Sequence, residues 1–243
     1  TATIVTELVK LAVQSGKTHL FLFTKPENEK IFTSLGFYPV AGTSDVLLLE
    51  NKKDGIRQFV QSLQQPRVDG VIASAVVNCN PFTNGHLYLL EKAASECTLL
   101  HVFVLSEDRS AFPASVRLQL VKENTAHIPN IIVHPTADYL ISSATFPDYF
   151  HKEKGLSSEI NCKLDLTIFA THFARPMGIT RRYVGTEPNC AVTAAYNRQM
   201  KSFLPTMGIE VVEIPRYELG GQPVSASKVR ALLKEGRLDE IKP

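Results

Sequence analysis

The chain has 243 residues, 44% of them hydrophobic, and 26 basic against 24 acidic side chains leave a formal net charge of +2. This is enough apolar material for one large core or two smaller ones, and it excludes a disordered or fibrous chain. The balanced charge offers no broad field for a nucleic-acid backbone, and no apolar run reaches the roughly 20 residues needed to span a bilayer. Cys79, Cys97, Cys162 and Cys190 stand far apart, with no C-x-x-C pair and no zinc-ligand spacing, which reads as reduced thiols in a cytoplasmic protein.

Thr1 is not an initiator methionine and a helical pattern follows at once, so the chain is expected to begin inside a fold. Thr6 to Val13 sets Leu8, Val9, Ala12 and Val13 on one face and predicts a buried helix; His19 to Thr24 reads as a buried strand. Pro26 opens a second helix that ends at Gly36, and Asp45 to Glu50 reads as another strand. A helical Phe59, Leu63 pair follows in the glutamine-rich Gln58 to Gln65, and Pro66 stops it. The expected division is a small α/β unit over 1–65 and a second domain over 69–243, the latter able to form its own core.

From Gly70 strands alternate with helices. Val71 to Val77, His101 to Leu105, Ile131 to His134, Arg182 to Gly185 and Glu210 to Ile214 read as strands. His86 to Ser95, Ala114 to Ala126, Asn161 to Phe173, Ala191 to Phe203 and Ser227 to Lys234 read as helices. Connections this short fit parallel βαβ units, so the fold class is α/β, an open doubly wound five-stranded parallel sheet. Its ligand crevice should lie outside the carboxyl ends of the strands.

The first of these strands runs into Asn78-Cys-Asn-Pro-Phe-Thr-Asn-Gly-His86 and then a helix start. Gly85 permits close backbone approach, the helix N-terminus offers unpaired N–H groups, and Thr83 and His86 add donors suited to an α-phosphate. The plainer alternative is a capped helix with a buried histidine. Cys79, inside this motif, reads as a small buried thiol rather than a nucleophile.

Asn80-Pro-Phe-Thr-Asn-Gly-His86 resembles the T/H-x-G-H signature of the nucleotidyltransferase superfamily, and Val224-Ser-Ala-Ser-Lys-Val-Arg230 is similar to its I-S-S/T-x-x-R pattern. The resemblance implies a catalytic set of Thr83, His86 and Arg230, with Asn80, Phe82, Gly85, Ser225 and Ser227 around the nucleotide. Ser225 and Ser227 are also helix N-cap candidates, whose hydroxyls and neighbouring N–H groups would meet the β- and γ-phosphates. Tyr183-Val-Gly-Thr-Glu-Pro188 resembles the segment that meets adenine and ribose, which adds Gly185, Thr186 and Glu187; a side chain at 185 would fill space a nucleotide needs. Arg109, in Ser106-Glu-Asp-Arg-Ser-Ala-Phe-Pro113, matches a basic phosphate contact of some relatives. Arg117 is left as either a phosphate contact or a structural ion pair.

Longer phrases narrow the family. Ala144-Thr-Phe-Pro-Asp-Tyr-Phe-His-Lys-Glu153, Asp165-Leu-Thr-Ile-Phe169 and Val192-Thr-Ala-Ala-Tyr-Asn197 resemble citrate lyase ligases. That resemblance implies a ligase using ATP and Mg2+, which activates acetate as acetyl-AMP, releases pyrophosphate and acetylates the thiol of the citrate lyase acyl-carrier prosthetic group. Nucleic-acid and membrane partners are not expected. Lys25 to Phe37 resembles the last helix of a GNAT acetyltransferase domain, of which only the C-terminal half would be present. Phe32 stands where many acetyltransferases keep a tyrosine acid, so acetyl-CoA chemistry is not expected there. Two other readings stay open: a nucleotidyltransferase with a different acceptor, and a nucleotide-binding module without turnover.

Overall fold

The structure, a computed structural model, describes residues 2–63, 65–146, 157–188 and 190–241. The part of the Ala144 to Glu153 phrase from Pro147 onward lies outside them. The first region runs α1 (Ala2–Gln14), β1 (Phe21–Thr24), a 3-10 turn over Pro26–Asn28, α2 (Glu29–Thr33), β2 (Tyr38–Gly42), β3 (Leu47–Glu50) and α3 (Gly55–Ser62). Its sheet is antiparallel with β3 in the centre, order β1-β3-β2. All four residues of β3 are buried, because both faces of the strand are covered. Leu47 and Leu49 pack with Phe37, Val5 and Val9, whereas Leu48 turns the other way. α1 departs from the expected buried helix: Ile4, Leu8, Leu11 and Val13 are more than half exposed, and the packed stripe runs through Val5 and Val9.

The second region continues with β4 (Ile72–Val77), α4 (Asn84–Ser95), β5 (Leu99–Val104), α5 (Ala114–Thr125), β6 (Ile131–Pro135) and α6 (Ser157–Ile168). A π-helical stretch over Phe169–Ala174 leads to the short α7 (Arg175–Met177), then β7 (Arg181–Gly185), α8 (Ala191–Phe203) and β8 (Glu210–Ile214). A small hairpin of β9 (Glu218–Leu219) and β10 (Gln222–Pro223), absent from the expectation, precedes α9 (Ala226–Lys234). The five main strands pair in parallel in the order β6-β5-β4-β7-β8. The doubly wound sheet is therefore as expected. Its chain order reverses beside β4, so the switch point falls between β4 and β7 at their carboxyl ends.

Two cores sandwich this sheet. Leu90, Ala93, Ala94 and Val121 from α4 and α5 cover one face; Leu164, Ile168, Phe173, Tyr196 and Met200 cover the other. Val40, Leu48, Ile56 and Val60 of the first region belong to that second core, beside Phe103, Tyr139 and Phe173. Polar bonds cross the same junction. Glu50, 2% exposed, accepts from Tyr139 Oη at 2.8 Å and the Ile56 N–H at 2.9 Å, and its Oε2 lies 2.7 Å from His19 Nε2. The register slips at Val40, a one-residue bulge, and the carbonyl there accepts from His172 Nε2 at 2.7 Å.

Candidate functional site

The carboxyl ends of β4, β7 and β8 and the starts of α4 and α9 enclose a cleft of about 300 Å³. Its first wall is the turn after β4. Cys79 there takes a left-handed conformation with φ 49° and is fully buried, so burial pushes its thiol well above the usual range and leaves it inert. Thr83 caps α4 reciprocally with the third helical residue: its N–H donates to His86 Nδ1 at 3.1 Å, and its Oγ1 lies 2.8 Å from the same nitrogen. With Nδ1 accepting, the neutral ring carries its proton on Nε2. Burial in the wall, then the positive charge of Arg216, pulls the His86 pKa down to about 4. At neutral pH this histidine is therefore an uncharged donor.

The opposite wall is the start of α9. Ser225 caps it, accepting from the Ser227 N–H at 3.2 Å. Arg230 donates through Nη2 to Ser227 Oγ at 2.8 Å and through Nη1 to the Asn80 carbonyl. One arginine thus ties together two motifs that are remote in sequence. Asn80 in turn accepts from the Phe112 N–H at 3.0 Å. At the end of β7 the Gly185 carbonyl accepts from Asn197 Nδ2 at 3.0 Å, which orients the backbone at the rim. A Cβ added at Gly185 would meet nothing within 4 Å, so neither packing nor conformation of the chain requires glycine there, and the space beside it is open.

A family model described as the citrate lyase ligase C-terminal domain matches residues 72–243. A citrate (pro-3S)-lyase ligase of Escherichia coli (strain K12) is 44% identical over 99% of this chain and 70% of its own length. That of Klebsiella pneumoniae is also 44% identical, over 96% of this chain and 70% of its own. The chain belongs to the citrate lyase ligase family. Among solved structures, a pantoate-beta-alanine ligase from Francisella tularensis overlaps 73% of this chain and 72% of its own at 14% identity, with a TM-score of 0.45.

In this member of the family Asn80, Thr83, Gly85, His86, Gly185, Thr186, Glu187, Ser225, Ser227 and Arg230 all line the cleft. Phe82 and Arg109 are not among the lining residues. Phe82 packs into the apolar cluster beneath α4 and stacks on the His86 ring, with centroids 5.8 Å apart. The Arg109 side chain is half exposed on the loop after β5, its Nε 3.8 Å from Glu107. Arg117 takes a structural role through hydrogen bonds, with no salt bridge among the described residues. Fully buried, it donates to the carbonyls of Asn78, Leu105, Glu107 and Phe112 and to Asn78 Oδ1, and so fastens the motif turn to the loop after β5.

Two arginines of the lining escaped the sequence reading, Arg182 and Arg216. Arg216 follows β8, pairs with Glu187 at 2.6 Å and donates through Nε to the Thr186 carbonyl at 2.9 Å. Its place just past a strand's carboxyl end was the available signal. Among the described residues no group of three or more His, Cys, Asp or Glu could hold a metal ion, and Glu187 is the one carboxylate in the lining. This donor set makes no protein cage for Mg2+, which would have to be held by phosphate oxygens and water. No helix among the described residues is long and apolar enough to cross a membrane.

Proposed function

We propose that this chain is an ATP-dependent acid–thiol ligase acting on citrate lyase, which forms acetyl-AMP at this cleft and passes the acetyl group to the carrier thiol. The relatives named above are ligases of citrate lyase, and that supports the reaction class. The observation that carries the nucleotide reading is the convergence of the two helix N-termini at Thr83 and Ser225, bridged by Arg230, beside the open space at Gly185. N–H groups at helix starts with a nearby arginine suit a run of phosphates, and the space at Gly185 suits a flat base or ribose.

In the first step an acetate oxygen attacks the α-phosphorus in line; that P–O bond forms while the bond to the β-phosphate oxygen breaks, and pyrophosphate leaves. A carboxylate has no proton to lose, so no general base is required, and the neutral state of His86 fits a role as donor to the α-phosphoryl oxygens. Arg230 and the start of α9 would hold the leaving pyrophosphate. In the second step the carrier thiol loses its proton to water, its sulfur attacks the acetyl carbonyl to form the thioester C–S bond, and AMP departs with the electrons of the broken C–O bond. Mg2+ is assigned to the triphosphate as part of the substrate. The test is exchange of labelled pyrophosphate into ATP: it should depend on acetate, and exchange that ignores acetate but follows another acceptor would replace this reading with a different nucleotidyltransferase.

A further inference from the structure

The cleft does not end at the phosphate walls. Below its rim Arg182, earlier in β7 than Gly185, lines the cavity together with Val76, Ile141, Val184 and Met200. Arg182 is 2% exposed, and its guanidinium lies over the Phe169 ring at 4.3 Å, where the π-helical stretch begins. Its Nη2 donates to Tyr196 Oη at 3.3 Å, but Nε and Nη1 have no partner among the described residues. Asp165 shares this buried network and feels the Arg182 charge, but its hydrogen bonds come from elsewhere: it accepts from Tyr196 Oη at 2.7 Å, the Ile141 N–H at 2.7 Å and Thr145 Oγ1 at 3.3 Å.

Two buried guanidinium nitrogens without hydrogen-bond partners are costly unless an acceptor joins them. We propose that the Arg182 guanidinium is the recognition group for the small carboxylate that the enzyme activates, with the apolar residues around it taking the short hydrocarbon tail. This rests on the acetate-activating reading above and names its acceptor subsite. One carboxylate oxygen takes an Arg182 N–H while the other stays available to attack, and the fixed positive charge offsets the repulsion between acetate and triphosphate. Arg182 is a binding and positioning residue here; it takes no proton.

The test uses the full chain. Arg182→Gln should raise the KM for acetate in pyrophosphate exchange about 10- to 100-fold, the range for losing a hydrogen bond to a charged group, while the calorimetric affinity for ATP stays within about two-fold. Arg182→Lys should recover part of the loss, and Arg181→Gln, on the other face of the strand, should leave the acetate KM unchanged. Because a buried arginine also serves the fold, wild-type protein with 15N-labelled arginine gives a second measurement. With α,β-methylene ATP bound, acetate should shift one buried Nε–H resonance and acetamide should not. An unchanged acetate KM in folded Arg182→Gln, or Nε–H resonances indifferent to saturating acetate, overturns the assignment and leaves ordered water as the occupant. Wild-type exchange without acetate dependence removes the functional reading itself, and this assignment with it.

Discussion

Glu50 in the first sheet and Arg182 in the second are both charges buried to 2% exposure on strands, and the chain treats them in opposite ways. Three groups from three segments, His19, Tyr139 and the Ile56 N–H, meet Glu50 and occupy its oxygens. Arg182 keeps two nitrogens without a partner among the described residues, in the lining of a cleft. A buried charge whose hydrogen bonds are all made by the protein fixes a junction; one whose bonds are left open has room for water or a ligand. The same contrast separates the regions as wholes. The first contributes packing and a saturated polar hub to the shared core, and the second holds every lining residue of the cleft.

The strongest way to break this comparison is to remove the first region. A chain starting near Asp69 would uncover the places where Val40, Leu48, Ile56 and Val60 meet Phe103, Tyr139 and Phe173. Each such side chain contributes about 1.5–3 kcal/mol, and four together rival a typical total stability of roughly 5–15 kcal/mol. The shared core argues against a second region that stands alone, so the shortened chain should lose cooperative thermal unfolding and near-ultraviolet dichroism, and exchange activity with them. A soluble, cooperatively unfolding fragment that still exchanges pyrophosphate would show that the two regions are independent after all.

His86→Ala sharpens the other side. Loss of a donor to the transition state in such a site is worth ~2.7–4 kcal/mol, so exchange should fall about 10²- to 10³-fold. The helix cap it completes is worth about 1 kcal/mol, so the variant should remain folded with a modestly lower melting temperature. Normal exchange by the folded variant would return His86 to the role of a capping residue alone.

Much of this was legible before any coordinates. The central strands β4 and β5 are largely apolar runs with most residues buried, and that signal does not depend on register. The motif residues lie at strand ends and helix starts, where spacing along the chain and proximity in space coincide. What was not legible depends on tertiary contacts. α1 has apolar residues nearly all around, so the choice of Val5 and Val9 over Leu8 and Val13 is made by the sheet beneath it. β2 is not among the expected strands; it holds Pro39, which an edge strand tolerates. Arg182 sits where a strand was expected to begin, and only its burial with two nitrogens unpartnered among the described residues singles it out.

A third measurement asks how the second region's buried polar row behaves without ligand. His101 Nδ1 and His134 Nε2 face one another across β5 and β6 at 2.9 Å. Burial pulls both pKa values down to about 4, and the charges of His101 and Lys122 add to the shift at His134. The unfolded chain binds these protons near pH 6.5, so the folded state is at no disadvantage above that pH and loses stability as pH falls from 6.5 toward 4. Each pH unit of separation is worth about 1.4 kcal/mol per group. Denaturant midpoints should thus drop between pH 6.5 and 5, and His134→Gln should show a shallower drop. Equal slopes in the two proteins would mean the pair does not control acid lability.

The smallest perturbation is the one most specific to the cleft. Gly185→Ala adds a single methyl group where no protein atom lies within 4 Å, and the residue is not in the left-handed region, so the chain itself has no reason to resist. Replacing a strand glycine should even raise stability slightly, by about 0.4–1 kcal/mol through the unfolded state. If a nucleotide occupies that space, the methyl group must displace it, and an overpacked contact costs about 1–3 kcal/mol. Calorimetry should then show ATP and AMP weakened together by about 5- to 150-fold, with pyrophosphate affected far less, because its phosphates sit on the α9 side. A variant that is stabilised and binds AMP as tightly as wild type would move the base and ribose away from β7. It would leave the phosphate walls at Thr83 and Ser225 as the only part of the nucleotide reading still supported.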